Sequence, residues 1–462
     1  MYTNLYANSY INYNCIMQSN SQSKYIQKIN HLKSSLLNNN QPLKIRKNSI
    51  SNLFRYNGRN EIDSRKIDLS KFNNPLVLDL KNKTLEVEGV TTWERIVDYT
   101  LPFGLIPFVT PELKHITVGG SIVGIGIESN THKFGFVHNS LLEADVLLSN
   151  GQIITCNAAN KYKDLFHALA NSYGTLGYVL RAKIQLKPVK RFVWLTTAKF
   201  TLIDKFLKAA STATKDTSID YVEGLAYSKT KLYLTTGKST NTSENLKSIY
   251  TTSPFYKEIS KNNRFTLPTK EYIFRYDPEW FWNLPENPLY LLFRAIAPKS
   301  LKNSGVYALY TKIVTPKAFQ TTASDTFETL IQDWEVPMKQ AKKLMDFALT
   351  TVDLSGKPLM VAFVKVPKSA TLYPMNKNKL YLNLGSYSFA KRKHNKPLYY
   401  YTKIIDEFCF KHNGIKMLYS STFLTKKKFD KIYNGHEYDK LKQKYDPKNL
   451  LPTLFEKAVK SK

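Results

Sequence analysis

The chain has little of what several common kinds of protein require. Its three cysteines, Cys15, Cys156 and Cys409, stand far apart, which excludes a disulfide framework or a cysteine-ligated zinc site and is typical of a reducing compartment. The eight histidines form no HxxxH or HxH pair, so we predict no metal site. No apolar run approaches the roughly 18 residues of a membrane-spanning helix, and residues 1–20 lack a signal-peptide pattern. We therefore predict a soluble, cytoplasmic protein.

Acidic residues are also scarce. Against 36 Asp and Glu the chain carries 67 Lys and Arg, a net charge of +31. Such an excess attracts nucleic acid, anionic membrane surfaces or phosphorylated ligands. The positive charge is spread along the chain, with short runs only at residues 391–393 and 426–428, and this disfavours a nucleic-acid site. A peripheral contact with an anionic membrane stays open, and composition does not indicate an oligomeric state.

Hydrophobic residues at 42% and aromatics at 13% indicate a globular protein with two or three cores. An N-terminal polar segment, residues 1–45, contains one stretch with helical periodicity at Ser21–Leu37. Strand and helix patterns then alternate up to Pro188, including a helix opened by a capping box at Thr91–Glu94 and a hairpin turned at Asn150–Gly151. The pattern changes near Lys190. We predict one domain over 46–190 and a second over 191–462.

Glycine is scarce, 18 in all, so a cluster of four within residues 117–129 is informative. Closely spaced glycines let a loop turn sharply and bring backbone N–H groups towards an anion such as a pyrophosphate. The segment has no Gly-Lys-Ser/Thr ending of a Walker loop. It also fails the GxGxxG pattern, because Ile127, Glu128 and Ser129 follow Gly126. Taken alone, it is equally consistent with a turn that needs glycine only for packing.

Neighbouring motifs give this segment a family context. The run Val109–Gly120 and the continuation through His132–Gly135 resemble the flavin-binding segment of the delta(24)-sterol reductase (Diminuto/seladin) family, within the vanillyl-alcohol-oxidase or PCMH-type superfamily. Two later motifs, Asp145–Gly151 and Asn171–Tyr178, follow in the family's order. The resemblance extends over roughly residues 48–459, and several motifs in order are more specific than any one of them.

The resemblance implies an α+β fold. It comprises a PCMH-type FAD-binding domain of two α+β subdomains, then an α+β cap domain for the substrate whose C-terminal segment returns to the flavin domain. FAD would be bound non-covalently, since residues 44–60 contain no His and no Cys lies between Cys15 and Cys156. Residues 47–52 would form the first phosphate loop. The predicted cofactor-binding residues are Thr117, Val118, Gly119, Gly120, Ser121, Ile122, Val123, Gly124, Ile125, Gly126, Ile127, Glu128, Ser129, Gly174 and Gly177.

The implied activity is hydride transfer between flavin N5 and a small, hydrophobic molecule. Two versions stay open: reduction of an alkene with NADPH as electron donor, or oxidation of an alcohol. Candidates for the catalytic acid or base are Glu128, His132, Tyr173 and Tyr387. The animal and plant members of the family carry an N-terminal membrane anchor, for which this sequence shows no pattern. The alternative class is a catalytically inactive flavin-fold protein that binds a polyanion or a protein partner through its basic surface.

Overall fold

The protein is described by a computed structural model over residues 20–36, 40–48, 64–250, 253–279, 296–306, 309 and 326–459. A helix at residues 20–36, where the sequence predicts Ser21–Leu37, buries Tyr25, Ile29, Leu32 and Leu36 on one face. It is followed by two short strands that pair in parallel. These are β1 (Leu43–Arg46) and β2 (Arg65–Asp68).

A second sheet contains strands in the order β3-β4-β8-β6-β7, with β5 paired to the end of β8. Its pairings are antiparallel, and the hairpin predicted around Asn150–Gly151 joins β6 to β7. The strands are β3 (Pro75–Asp79), β4 (Thr84–Glu88), β5 (Leu105–Pro107), β6 (Leu141–Leu147), β7 (Ile153–Asn157) and β8 (Tyr178–Pro188).

The helices around this sheet follow local signals. The helix Trp93–Thr100 begins one residue later than the capping box predicts, because Thr92 is the N-cap and its Oγ1 accepts from the N–H of Arg95 at 3.4 Å. Its apolar positions face the sheet. The other helices and 3-10 turns here are Leu101–Phe103, Val118–Val123, Thr131–Phe134, Val137–Ser140 and Lys163–Ala168.

The third sheet is antiparallel, in the order β12-β9-β11-β10-β14-β15-β13-β16. The chain passes into it between Pro188 and Phe192, and the division into domains at Lys190 stays a prediction. The strands are β9 (Phe192–Phe200), β10 (Tyr221–Ser228), β11 (Lys231–Thr240), β12 (Arg264–Pro268), β13 (Phe327–Pro337), β14 (Leu359–Lys365), β15 (Leu380–Lys391) and β16 (Ile415–Lys416).

Further helices pack on this sheet, and the C-terminal ones return to the core of the second sheet. Lys442 donates from Nζ to the carbonyl of Thr175 at 3.1 Å, so the end of the chain supports the loop before β8. The fold is α+β, as predicted. The remaining helices and 3-10 turns are Ile203–Ala213, Phe255–Lys261, Thr269–Ile273, Lys299–Leu301, Met338–Gln340, Ala341–Thr351, Tyr400–Lys411, Lys426–Tyr433, Gly435–Tyr445 and Leu454–Ala458.

Candidate functional site

The glycine cluster begins at a short helix and continues as extended chain. Thr117 is the N-cap of the helix Val118–Val123, and its Oγ1 accepts from the N–H of Gly120 at 3.3 Å. From Gly124 to Glu128 the backbone is neither helix nor strand. The sequence folds this way because a β-region threonine caps a helix, and the next glycine, Gly124, ends it.

The glycines of this segment serve different purposes. A Cβ on Gly119 would lie 2.7 Å from the carbonyl oxygen of Gly89, and one on Gly126 would lie 2.5 Å from Cγ2 of Val137. Close packing therefore requires both glycines. At Gly120 the nearest atoms would be Oγ1 of Thr117 at 3.0 Å and Nζ of Lys47 at 4.0 Å, and the residue is exposed. Gly120 is thus the one of these three that presents bare backbone outwards.

Not every backbone N–H group of this segment is available to a ligand. The N–H of Gly119 donates to the carbonyl of Gly89 at 2.9 Å, and that of Gly120 is taken by Thr117. Within the described residues, the N–H groups of Ile125, Gly126 and Ile127 donate to no protein acceptor. The amides able to bind an anion therefore lie in the extended part of the predicted segment, because the helical part uses its own for packing.

A lysine stands beside the start of this segment. Lys47 donates from Nζ to Oγ1 of Thr117 at 3.3 Å. Burial lowers the pKa of its ammonium group to about 8. No carboxylate in the described part of the chain forms an ion pair with it. It is the first residue of the predicted phosphate loop 47–52, of which residues 49–52 lie outside the described residues. A positive charge held without a counter-ion beside an open glycine fits an anionic ligand.

The second predicted contact loop lies against the glycine segment. The N–H of Asn171 donates to the carbonyl of Gly124 at 3.3 Å, and that of Tyr173 donates to the carbonyl of Val123 at 2.8 Å. Asn171, Tyr173, Gly174 and Gly177 all have positive φ, which is unusual for the tyrosine at 50°. A Cβ on Gly177 would lie 2.6 Å from Cγ1 of Val146, so packing also requires this glycine.

Beyond the glycines the segment enters a buried charge cluster. Glu128 accepts from Nη2 of Arg275 at 3.2 Å through its Oε2. The same Nη2 donates to Oε2 of Glu223, on β10, at 2.8 Å, and the hydroxyl of Tyr276 also donates to Glu223, at 3.0 Å. One guanidinium thus serves two carboxylates and ties the segment to the third sheet. Sequence reasoning missed Arg275 and Glu223, because 147 residues separate Glu128 from Arg275 along the chain.

Another carboxyl group joins this cluster. Glu112, in the loop before the helix Val118–Val123, interacts electrostatically with Glu128. Burial and the charge of Glu128 raise the pKa of Glu112 well above its ordinary value. The sequence analysis did not select Glu112, because nothing in its local pattern distinguishes it from a loop carboxylate.

The third sheet contributes a second polar cluster, centred on Asp333 of β13. Its Oδ2 accepts from the hydroxyls of Tyr387 and Tyr419, each at 2.7 Å, and its Oδ1 accepts from Nδ2 of Asn383 at 2.7 Å. A Cβ on Gly385 would lie 2.7 Å from Oδ1 of Asp333, so this glycine makes room for the carboxylate. Burial raises the pKa of Asp333, while the three hydrogen bonds oppose that rise.

The four predicted catalytic candidates differ in their surroundings. Glu128 and Tyr387 both interact electrostatically with Glu112. Nδ1 of His132 lies 3.2 Å from the carbonyl oxygen of Ser129, and burial lowers the pKa of His132 to about 4. A neutral imidazole is a poor proton source near pH 7. Tyr173 lies beside Gly124. Their catalytic roles stay predictions.

Comparisons with known proteins give this chain a set of relatives. Residues 37–157 match the family described as FAD binding domain. The delta(24)-sterol reductase of Homo sapiens is 27% identical over 84% of this chain and 76% of its own length, and that of Pisum sativum is 24% identical over 86% and 76%. Cytokinin dehydrogenase 9 of Oryza sativa subsp. japonica is 30% identical over 30% of this chain and 27% of its own length.

The chain is an FAD-linked oxidoreductase similar to the delta(24)-sterol reductases. One expectation is wrong. A soluble, cytoplasmic location is contradicted by the similarity to delta(24)-sterol reductases, which are membrane-associated enzymes of the endoplasmic reticulum. Of the helices in the described residues, none is both long enough and apolar enough to cross a bilayer.

Proposed function

We propose that this protein uses non-covalently bound FAD to reduce a carbon–carbon double bond in a sterol-like substrate, with NADPH as electron donor. The observation that carries the proposal is the extent of the similarity to proteins named delta(24)-sterol reductase. It covers 84% of the chain, whereas the match to the FAD binding domain covers only residues 37–157. The likeness therefore includes the third sheet as well as the cofactor domain.

The residues present fit FAD. Its diphosphate is a dianion. In the described structure the N–H groups of Ile125–Ile127 donate to no acceptor, and the ammonium group of Lys47 donates to Thr117 but has no carboxylate partner. Gly120 leaves bare backbone beside that lysine. When bound, FAD supplies hydride transfer at N5 of its isoalloxazine ring.

Non-covalent attachment is supported by the surroundings of the nearest nucleophiles. Cys156 is buried in the core on β7, and burial raises the pKa of its thiol to about 12. His115 lies 4.0 Å from Glu94 and 3.5 Å from the hydroxyl of Ser304. The surroundings of Cys156 and His115 therefore do not include Lys47 or Gly120.

The protein's own contribution is to position the substrate and manage the proton. The carboxyl groups of Glu112 and Glu128 and the Asp333 cluster with Tyr387 lie where the glycine segment meets the third sheet. Reduction of an alkene adds a hydride and a proton, so it needs an acid beside the flavin. Burial and the charge of Glu128 raise the pKa of Glu112, which favours a protonated acid in this group.

Alcohol oxidation is the second version of this chemistry. The similarity to cytokinin dehydrogenase 9 covers only 30% of the chain, against 84% for the human delta(24)-sterol reductase, so it gives less support to this version. An inactive polyanion-binding protein is not favoured, because the relatives found over most of the chain are named reductases.

The test is an anaerobic one. Purified protein is loaded with FAD, and we expect NADPH to bleach its visible absorbance. A sterol with a Δ24 double bond should then restore the colour and gain two hydrogens by mass spectrometry. The matched control is the same sterol with a saturated side chain. If an alcohol bleaches the flavin and oxygen reoxidises it, while the alkene does not react, the protein is an oxidase and the proposed reductase activity is wrong.

A further inference from the structure

The two short basic runs of the sequence, residues 391–393 and 426–428, meet at the same helix in the fold. The first run lies at the end of β15 and leads into the helix Tyr400–Lys411. In the second run, Lys428 forms an ion pair with Glu407 of that helix, with Nζ 3.4 Å from Oε1. Basic residues that are distant along the chain therefore surround one exposed helix surface.

Aromatic side chains connect the two runs. The ring of Tyr399, the N-cap of this helix, packs against that of Phe423, with the centroids 4.6 Å apart. Nζ of Lys396 lies 4.7 Å from the ring centroid of Tyr400, and Nζ of Lys403 lies 5.0 Å from that of Phe423. The apolar stems of these lysines thus lie along aromatic rings, while their ammonium groups extend beyond them.

An exposed leucine lies among these side chains. Leu398, next to Tyr399 in the sequence, is 48% exposed. Residues 391–405 contain no Asp or Glu, and Asp406 is buried, where it accepts hydrogen bonds from Lys416 and Trp334. Glu407 is therefore the one acidic side chain of this helix at the surface. The basic face, as defined here, consists of Lys396, Leu398, Tyr399, Lys403, Phe423 and Lys428.

Lysines, tyrosines and an exposed leucine together suit the interface of a lipid bilayer. Lysine ammonium groups attract anionic head groups, tyrosine rings lie at head-group level, and an apolar side chain enters the boundary with the acyl chains. Nucleic acid would pair with the same lysines, but it offers no apolar environment to Leu398. The rings of Tyr399 and Phe423 already contact each other, which leaves their packed faces unable to stack on bases.

We propose that the basic face docks this protein on a bilayer that contains anionic phospholipids, with Leu398 inserted at head-group level. This role goes beyond the proposed function and does not depend on it. The lysines supply attraction that is screened by salt, and Leu398 supplies an apolar contact that is not. Binding therefore requires both parts of the face.

The first experiment compares two double variants that lose the same charge. Lys403→Gln with Lys428→Gln removes two lysines of the basic face. Lys161→Gln with Lys163→Gln removes two exposed lysines from elsewhere, one of which also lies over a ring, that of Tyr162, at 5.1 Å. We expect the partition coefficient onto phosphatidylserine vesicles to fall about thirty-fold in the first variant and less than about three-fold in the second. Equal losses, or no loss in the first variant, would overturn the proposal.

The second experiment detects insertion directly. Leu398→Trp adds a fluorophore to the basic face, and Leu202→Trp, at a position that is 52% exposed, is the matched control. After subtraction of the wild-type spectrum, we expect the added emission of Leu398→Trp to shift to the blue on vesicles and to be quenched by brominated lipid. The added emission of Leu202→Trp should not change. Leu398→Ser should bind the vesicles about five- to ten-fold more weakly. An unshifted Leu398→Trp spectrum on saturating vesicles would show that this residue does not enter the bilayer.

A short DNA duplex serves as the probe for the other polyanion. If the wild type ignores the vesicles and binds the duplex through Lys403 and Lys428, the face binds nucleic acid and the membrane proposal is wrong. If the wild type docks through the basic face but never reduces the sterol, the docking stands and the proposed function fails. If it reduces a detergent-solubilised sterol but ignores the vesicles, the proposed function stands and the docking fails.

Discussion

Lys47 carries a positive charge into a partly buried position beside Thr117, where it has no ion-pair partner in the described structure. A buried cation without a counter-ion costs stability, and a bound diphosphate recovers that cost. The orphaned amides of Ile125–Ile127 are a second such cost in the same segment. Both features are explained by an anionic ligand.

Replacing Lys47 with methionine should therefore weaken FAD binding more than it affects folding. A charge-assisted hydrogen bond contributes about 1.5–3 kcal/mol, so we expect the Kd for FAD to rise by about ten- to a hundred-fold. The measurement is quenching of flavin fluorescence during titration of apoprotein. Lys44→Met, at an exposed position on β1, is the matched control and should leave the Kd unchanged. Equal affinities in the two variants would remove Lys47 from the phosphate site.

At the scale of elements, the helix Val118–Val123 is held against β8 by backbone contact. The N–H of Gly119 donates to the carbonyl of Gly89, and the N–H of Gly89 donates to that of Leu180 on β8. Two glycines therefore meet where the helix crosses the sheet, since no side chain fits between them. The position of the extended stretch that follows, with its free amides, depends on this contact.

Neighbouring glycines of this helix should respond differently to alanine. Gly119→Ala places a Cβ 2.7 Å from a backbone oxygen, and we expect a loss of about 1–3 kcal/mol of unfolding free energy. Gly120→Ala meets the hydroxyl of Thr117 at 3.0 Å and Nζ of Lys47 at 4.0 Å, both side-chain atoms that can shift, so it should stay within about 0.5 kcal/mol of the wild type. Urea denaturation of the apoproteins measures both. A Gly120→Ala variant as unstable as Gly119→Ala would contradict this account of the packing.

For the whole molecule, the net charge of +31 predicts attraction to anionic surfaces. We expect the protein to sediment with vesicles that contain phosphatidylserine and to be released as salt rises, since surface charges are screened beyond about 10 Å at 0.1 M ionic strength. Phosphatidylcholine vesicles are the neutral control. Binding that is equal for both lipids, or indifferent to salt, would show that the charge excess only solvates the surface.

Local patterns were sufficient for much of the fold. The hairpin β6–β7 and the helix at residues 20–36 follow from signals within a few residues, namely Asn-Gly at the turn and apolar side chains at helical spacing. The helix Trp93–Thr100 is capped by Thr92, one residue after the start of the capping box at Thr91. These two adjacent threonines carry the same hydroxyl group. Local chemistry could not decide between them.

The sequence by itself supplied the glycine segment and its order among the other motifs, and the family resemblance that these motifs carry indicated the cofactor class. Only the tertiary structure decided which amides stay free and which carboxylates share Arg275. Glu112, Glu128, Glu223 and Arg275 come from separate elements, and their charges interact only after the third sheet meets the glycine segment. A pKa depends on burial and on neighbours within a few ångströms, and neither can be read from the order of residues along the chain.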